Sequence, residues 1–261
     1  MERLLQDIRF GLRQLLRKPG FAALAVISMA LGIGANTSIF SLLDTILFRP
    51  LPVHEPARLV QLFGTEHKGA DVTLSSYLNY KDYRDRNTVL SGLSAYAFVV
   101  SSLSHGGKNE RVWGYLVSAN YFDLLGVKPA LGRGFLPEED ATPGSHPVAI
   151  LSHGCWERRF GSNPAIIGQT VQFNGHPFTV VGIAPKGFIG TEVAFVPEMW
   201  IPTMMAGVIE PGSTWLERRA NDNLFLVGRL KPGVSEAQTR AELETITAQL
   251  GKDYPENAGP A

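Results

Sequence analysis

Few residues in this chain have the type and spacing to do chemistry. His153 and Cys155 in "LSHGCWERRF" bring an imidazole near the single thiol of the sequence. Nucleophilic catalysis would need that imidazole within hydrogen-bond reach of the sulfur. Two positions apart on a helix, the two side chains point to different faces, so Cys155 reads as a small core residue. Ser152 precedes them, but "LSHGC" lacks the glycine that a G-x-S-x-G elbow places before its serine. His105, His146 and His176 fall in turn-forming stretches without ligand residues nearby, which suits surface histidines. The acidic run Glu138-Glu139-Asp140 reads as a solvated loop rather than a carboxylate pair for acid–base work. Gly107-Lys108 is followed by Asn109, so the Gly-Lys-Ser/Thr end of a phosphate-binding loop is missing. The expectation is a chain that is not an enzyme, with no catalytic residue, no cofactor-binding residue and no metal ligand.

Composition narrows the classes further. Lys+Arg and Asp+Glu both number 24, and this balance gives no basic face or stripe for nucleic acid. One cysteine excludes an intrachain disulfide and leaves no thiolate set for structural zinc. At 261 residues the chain has room for one large domain or two small ones with a real core.

The elements that must position anything functional begin with a membrane question. From Pro19 to Leu43 no side chain is charged. That run exceeds the roughly 20 residues needed to cross a bilayer core and the ~7–15 of a signal-peptide apolar region. A retained membrane span is expected, in preference to a cleaved signal or a buried core helix. Arg3, Arg9, Arg13, Arg17 and Lys18 precede it, whereas Arg49 alone follows closely, so the N-terminus is expected in the cytoplasm and residues after about 48 outside it. Leu5, Ile8, Leu12, Leu15 and Leu16 lie at helical spacing beside Arg9, Arg13 and Arg17, the pattern of an interfacial helix over 1–18 resting on membrane lipid. A helix from Phe21 to Phe48 would be about 42 Å long against a hydrocarbon core of ~30 Å. Residues 19–48 therefore read as a span that continues into a stalk carrying Asp44, ended by "RPLP" at 49–52. Gly32, Gly34, Ala35 and Ser38 offer a small-residue face for helix neighbours.

Beyond Pro52 the pattern alternates between strand and helix. "RLVQLFGT" reads as a strand. "SSYLNYKDYRDRNTVLSGL" reads as a helix capped by Ser75 or Ser76 and ended by Gly92, with Lys81, Asp82, Arg84 and Asp85 facing water. "SAYAFVVSSLS" and "ERVWGYLVS" read as strands, and "SANYFDLLGV" as a short helix, an α+β order around a small sheet. From about residue 131 short strands and Gly/Pro turns dominate. "HPVAILS" is a strand and "HGCWERRF" a helix ending at Gly161. "QTVQFNGHPFTVVGIAP" is a hairpin turning at Asn174-Gly175. "EMWIPT" and "NLFLVGRLKPGVS" return to strand, and "SEAQTRAELETITAQLGKDYP" is a helix capped by Ser235.

Several stretches together resemble the periplasmic core domain of MacB-type ABC permeases. They are "ALGIGANTSIFSLLDTILFRPLP", "SYLNYKDYRDRNTVLSGLSAY", "VSANYFDLLGVKPALGRGF", "VAILSHGCWERRFGSNPAIIGQTVQFNGHPFTVVGIAPKGF" and "LFLVGRLKPGVSEAQTRAELE". The N-terminal wording is closest to the duplicated orphan permeases of that family, which lack a fused ATPase. The resemblance implies an α+β exported domain over 49–261. Within it, a Porter-like subdomain (about 56–130 and 223–261) would carry an inserted β-rich, Sabre-like subdomain (about 131–222). It also implies four spans in the full-length protein, so the chain reads as an N-terminal fragment of an inner-membrane protein. The implied partners are a separate ABC ATPase subunit, a second permease copy or the remaining spans, and periplasmic adaptor proteins.

The function so implied is a permease subunit of an export or mechanotransmission system, in which a long helix carries motion from the ATPase to the periplasmic domain. The alternative is a single-span, membrane-tethered periplasmic binding or sensor module, which would need a pocket with convergent polar groups.

Overall fold

The computed structural model describes residues 19–43, 53–65, 72–192 and 195–255. The interfacial helix expected over 1–18, the stalk 44–48 with Asp44, and the "RPLP" break lie outside the described residues. The chain divides into two units, Met1–Pro50 and Leu51–Ala261.

The first unit contains helix α1, Pro19–Leu43. Its stretch Ala22–Ser41 has a mean hydropathy of 1.7 and none of it is buried against protein. Leu24, Ile27, Leu31, Ile33 and Phe40 are all exposed, so the helix is apolar all round rather than along one stripe, as a lipid-facing span requires. Ser38 donates its hydroxyl to the Gly34 carbonyl at 2.8 Å, which satisfies a polar group inside the helix.

The second unit is α+β. In chain order it comprises β1 (Leu59–Leu62), β2 (Gly64–Thr65), β3 (Val72–Thr73), α2 (Tyr77–Arg86), β4 (Leu90–His105), β5 (Lys108–Val117), α3 (Tyr121–Leu125) and β6 (Leu131–Gly132). Then follow β7 (Val148–Leu151), α4 (His153–Phe160), β8 (Thr170–Phe173), β9 (His176–Ile183), β10 (Met199–Pro202), α5 (Ala206–Ile209), β11 (Phe225–Leu230) and α6 (Glu236–Asp253). The main sheet runs β1-β11-β4-β5-β10-β7-β9-β6, and β8 pairs with both β4 and β9. Those pairings close a ring: β4, β5, β10, β7, β9 and β8 return to β4 through Leu103↔Phe173. Closure of this kind leaves no edge within the ring, and among the described residues β1 and β6 stand at the ends of the sheet.

Period-2 alternation sorts the core. Val112, Leu116, Ala149, Leu151, Phe178, Met199 and Ile201 point into the ring, where Cys155 and Phe160 of α4 join them. The intervening Tyr115, Val117, Ile150 and Trp200 pack on the other face with Tyr121 and Phe122 of α3. A third cluster, Leu93, Ala95, Ala97 and Leu226, lies under Tyr80 of α2. Strands buried on both faces read as unbroken apolar runs, and β7 and β10 are buried at every position.

Helix α2 starts at Ser76, whose hydroxyl accepts from Asn79 N–H, but it does not run to Gly92. Asn87 ends it: the side-chain amide donates to the carbonyls of Tyr83 and Arg84, and its oxygen accepts from Leu90 N–H. One side chain thus closes the helix and starts β4, placing Gly92 inside the strand. There a Cβ would meet the end of the Leu124 side chain at 2.7 Å, so α3 packs closely against the strand at this position. Asp82 does not simply face water either. It pairs with Arg86 at 3.1 Å and with Arg219 at 2.5 Å, and Arg219 also covers the Tyr254 ring at 3.8 Å.

Candidate functional site

The residues weighed for chemistry are dispersed. Cys155 is fully buried and burial pushes its thiol pKa up, with Glu198 adding to the shift. His153 turns away to pack edge-on against Trp156. Ser152 spends its hydroxyl as the α4 cap, accepting from Cys155 N–H at 3.1 Å. His105 packs on Phe160, and His146 shares a hydrogen bond with the Ser145 hydroxyl. Among the described residues no three His, Cys, Asp or Glu side chains gather as a metal site. A cleft of about 340 Å³ between Pro143, Met204, Val208 and Leu216 offers Ser213 and Glu217 as its polar side chains.

The acidic run corrects the sequence reading, because Glu139 and Asp140 do not solvate a loop. They belong to a 3-10 turn, Pro137–Asp140. Glu139 is 4% exposed. Arg133 donates to both its oxygens, at 2.6 and 2.9 Å, and Leu136 N–H donates at 2.8 Å. Burial acts to raise the Glu139 pKa, but these donors outweigh it and the net shift is downward. The Asp140 carboxylate accepts from Ala119 N–H on one oxygen and from Met204 N–H on the other, both at 3.1 Å. Here burial wins over the donors and lifts the pKa from 3.8 to about 6. Proline followed by acidic residues was the available signal, since Pro at the first helical position and Glu at the third favour a helical start.

A second network lies where Thr191 and Glu192 meet Gln61, Tyr96 and Tyr121. Glu192 accepts from the Tyr96 hydroxyl at 2.5 Å and from Gln61 Nε2 at 2.9 Å. Burial, reinforced by Glu192, raises the Tyr96 pKa. Thr191 N–H donates to the Tyr121 hydroxyl. Next to this network Phe195 packs edge-on against Phe98 and Trp113, leaving Trp113 and Val196 exposed. These are contacts that bind loops to strands rather than groups arranged around a reacting atom.

Residues 22–246 match the MacB-like periplasmic core domain. The chain belongs to that family. No curated protein matches the sequence, but solved structures share its fold. The periplasmic region of MacB from Actinobacillus actinomycetemcomitans is 16% identical with a TM-score of 0.56, over 74% of this chain and 83% of that one. The extracellular domain of the noncanonical ABC-type transporter YknZ from Gram-positive bacteria is 14% identical with a TM-score of 0.56, over 76% and 95%. A permease-protein domain from Porphyromonas gingivalis is 15% identical with a TM-score of 0.52, over 77% and 84%. The MacB-like family is a component of transporter permeases and not a classical enzyme family, and such permeases work in general with ABC ATPases. The apolar α1 followed by a MacB-like periplasmic domain is the arrangement of an inner-membrane protein with a periplasmic part.

Proposed function

We propose that this MacB-like chain is a permease subunit that couples ATP hydrolysis by a separate ATPase to motion of its periplasmic domain. The observation that carries this reading is the joining of an all-round apolar helix to a MacB-like domain whose polar networks bind its own segments together. A stiff helix can carry displacement between compartments, whereas a flexible linker would absorb it. The arginines and lysine before Pro19 hold the N-terminus in the cytoplasm and place everything after Phe48 in the periplasm.

Within the exported part, the Porter-like portion is about 56–130 with 223–261, and the insertion about 131–222. This division is supported by strand origin: β1, β11, β4 and β5 come from the first portion and β6 to β10 from the second. They meet at β5·β10 and β4·β8. The partners are the ATPase, further membrane spans or a second copy, bilayer lipid and periplasmic adaptor proteins.

Reporters fused after Gly161 test the orientation. A phosphatase active only outside the cytoplasm should work there, and a fluorescent protein that matures only inside should stay dark. The opposite pattern would overturn both the topology and the coupling built on it. The purified chain should also show no ATP turnover.

A further inference from the structure

The cleft of about 340 Å³ in the second unit has walls fixed by the backbone. Its floor is Met204, 3% exposed and held on both sides. Asp140 accepts from the Met204 N–H at 3.1 Å, and Gly144 N–H donates to the Met204 carbonyl at 2.8 Å. The facing wall runs from Ser213 to Glu217. Ser213 N–H donates to the Glu210 carbonyl at 3.0 Å, and Glu217 N–H to the Thr214 carbonyl at 3.2 Å. Glu217 is exposed while Met204 is buried, so the cleft passes from a charged mouth to an apolar floor. Gly207, inside α5, lines it as well. No left-handed φ demands glycine there, and an added Cβ would meet no atom within 4 Å. Glycine within a helix is less stable than alanine; here the missing side chain leaves the cleft open. The Ser213 hydroxyl and the Glu217 carboxylate have no side-chain partner among the described residues. Neighbouring Arg218 forms no ion pair with Glu217, and Arg219 is engaged by Asp82 at 2.5 Å.

We propose that this cleft binds a small free amine, a primary ammonium ion carried on an apolar stem. Charge complementarity selects the cation, because the one charged group lining the cleft is an unpaired carboxylate. A primary ammonium has three donors: one meets Glu217 and a second meets the Ser213 hydroxyl oxygen. The stem then lies on Met204, Val208 and Leu216, where leaving water favours binding. Methionine at the floor adapts to stems of different shape. At the ~30 Å³ that one water occupies, the cleft holds roughly ten non-hydrogen atoms. That is room for a whole small molecule, which favours a free amine over a segment of peptide. An anion would be repelled by Glu217, and a neutral analogue would leave the carboxylate without a partner. The site does not depend on the transport role or on membrane placement.

Equilibrium dialysis of phenethylamine against the whole chain in lipid nanodiscs tests the site, with empty nanodiscs as the blank. Binding should saturate at one site with a Kd on the order of 0.1–1 mM, as suits a ligand of this size. Phenethyl alcohol, which keeps the stem and lacks the charge, should bind more weakly, and phenylacetate should not bind. Glu217→Gln should weaken the amine about three- to tenfold, the lower figure allowing for exposure of the carboxylate. The same variant should leave the alcohol unchanged. Gly207→Leu fills the cleft without a clash and suits a helix better, so it should abolish binding of both while the melting temperature holds. No saturable binding by the unmodified chain, or an amine affinity that neither substitution changes, would overturn the proposal.

Discussion

The Arg133 guanidinium meets both carboxylate oxygens of Glu139, and the same carboxylate accepts from Leu136 N–H. The pair closes the turn that presents Asp140. Glu139 is buried while Arg133 is 43% exposed, so deleting either partner costs less than breaking a fully buried ion pair. Glu139→Gln should lower stability by about 1–3 kcal/mol, the range for losing a charge-assisted acceptor. A carboxylate whose folded pKa lies below its ordinary 4.5 stabilises at and above that value, and this contribution is lost as pH falls through the lower, folded value. Thermal melts should therefore show wild type losing its advantage over Glu139→Gln in acid. A gap that stayed constant down to acid unfolding would mean the ion pair contributes nothing.

Cys155 supplies a direct check on the ring interior. Its side chain is fully buried in the cluster that includes the ring's inward residues, and burial disfavours the thiolate, which is the form that reacts. A maleimide or iodoacetamide reagent should leave the native chain unlabelled and modify it only under unfolding conditions. Rapid labelling of the native chain at neutral pH would place the residue at a surface. Cys155→Ser, which buries a hydroxyl without a guaranteed partner, should cost about 1–3 kcal/mol.

The β8–β9 turn was legible from two residues alone. Asn174 and Gly175 both take positive φ, 51° and 78°, as a two-residue type I′ turn demands. The remainder of Asn174's role was not visible in sequence: its side chain accepts from Ser102 N–H and donates to the Ile209 carbonyl, bracing β4 and α5 at the point of ring closure. Gly175→Val forces a β-branched residue into left-handed backbone and should cost about 1–2 kcal/mol. For a domain of this size that is roughly 2–4 °C of melting temperature per kcal/mol. An unchanged melting curve would be incompatible with the turn geometry.

What the sequence made readable follows the range of the interaction that decides it. The Ser235 cap of α6, the α4 helix ending at Gly161 and the apolar α1 depend on neighbours within a turn or on plain length, so local patterns suffice. Gly92 was misplaced because glycine ends a helix or admits a close neighbour equally well, and the neighbour, Leu124, is distant in sequence. Asp82 and Asp140 looked like surface acids for the same reason: Arg219, Ala119 and Met204 reach them only through the fold. Ring closure through β4 and β8 pairs segments separated by about seventy residues, and nothing in either strand names its partner.

Mechanical coupling through α1 gives the last test. The backbone of α1 is helical as far as Leu43, and the domain it serves begins beyond Pro52. Leu42→Pro removes the hydrogen bond from residue 42 to the carbonyl of residue 38 and clashes with the preceding turn, costing about 3 kcal/mol or more within a helix. The three buried clusters lie in the second unit, so its melting transition should not move. In a complete transporter with its ATPase, expression and ATP hydrolysis should persist while substrate export falls. Loss of export could also follow from a misplaced span, so Leu42→Ala, which shortens the side chain but keeps the helix, should export normally. Because proline breaks the rod and alanine does not, the difference between the two variants isolates helix continuity. Equal export by both would reduce α1 to an anchor and favour a tethered module over a force-transmitting permease.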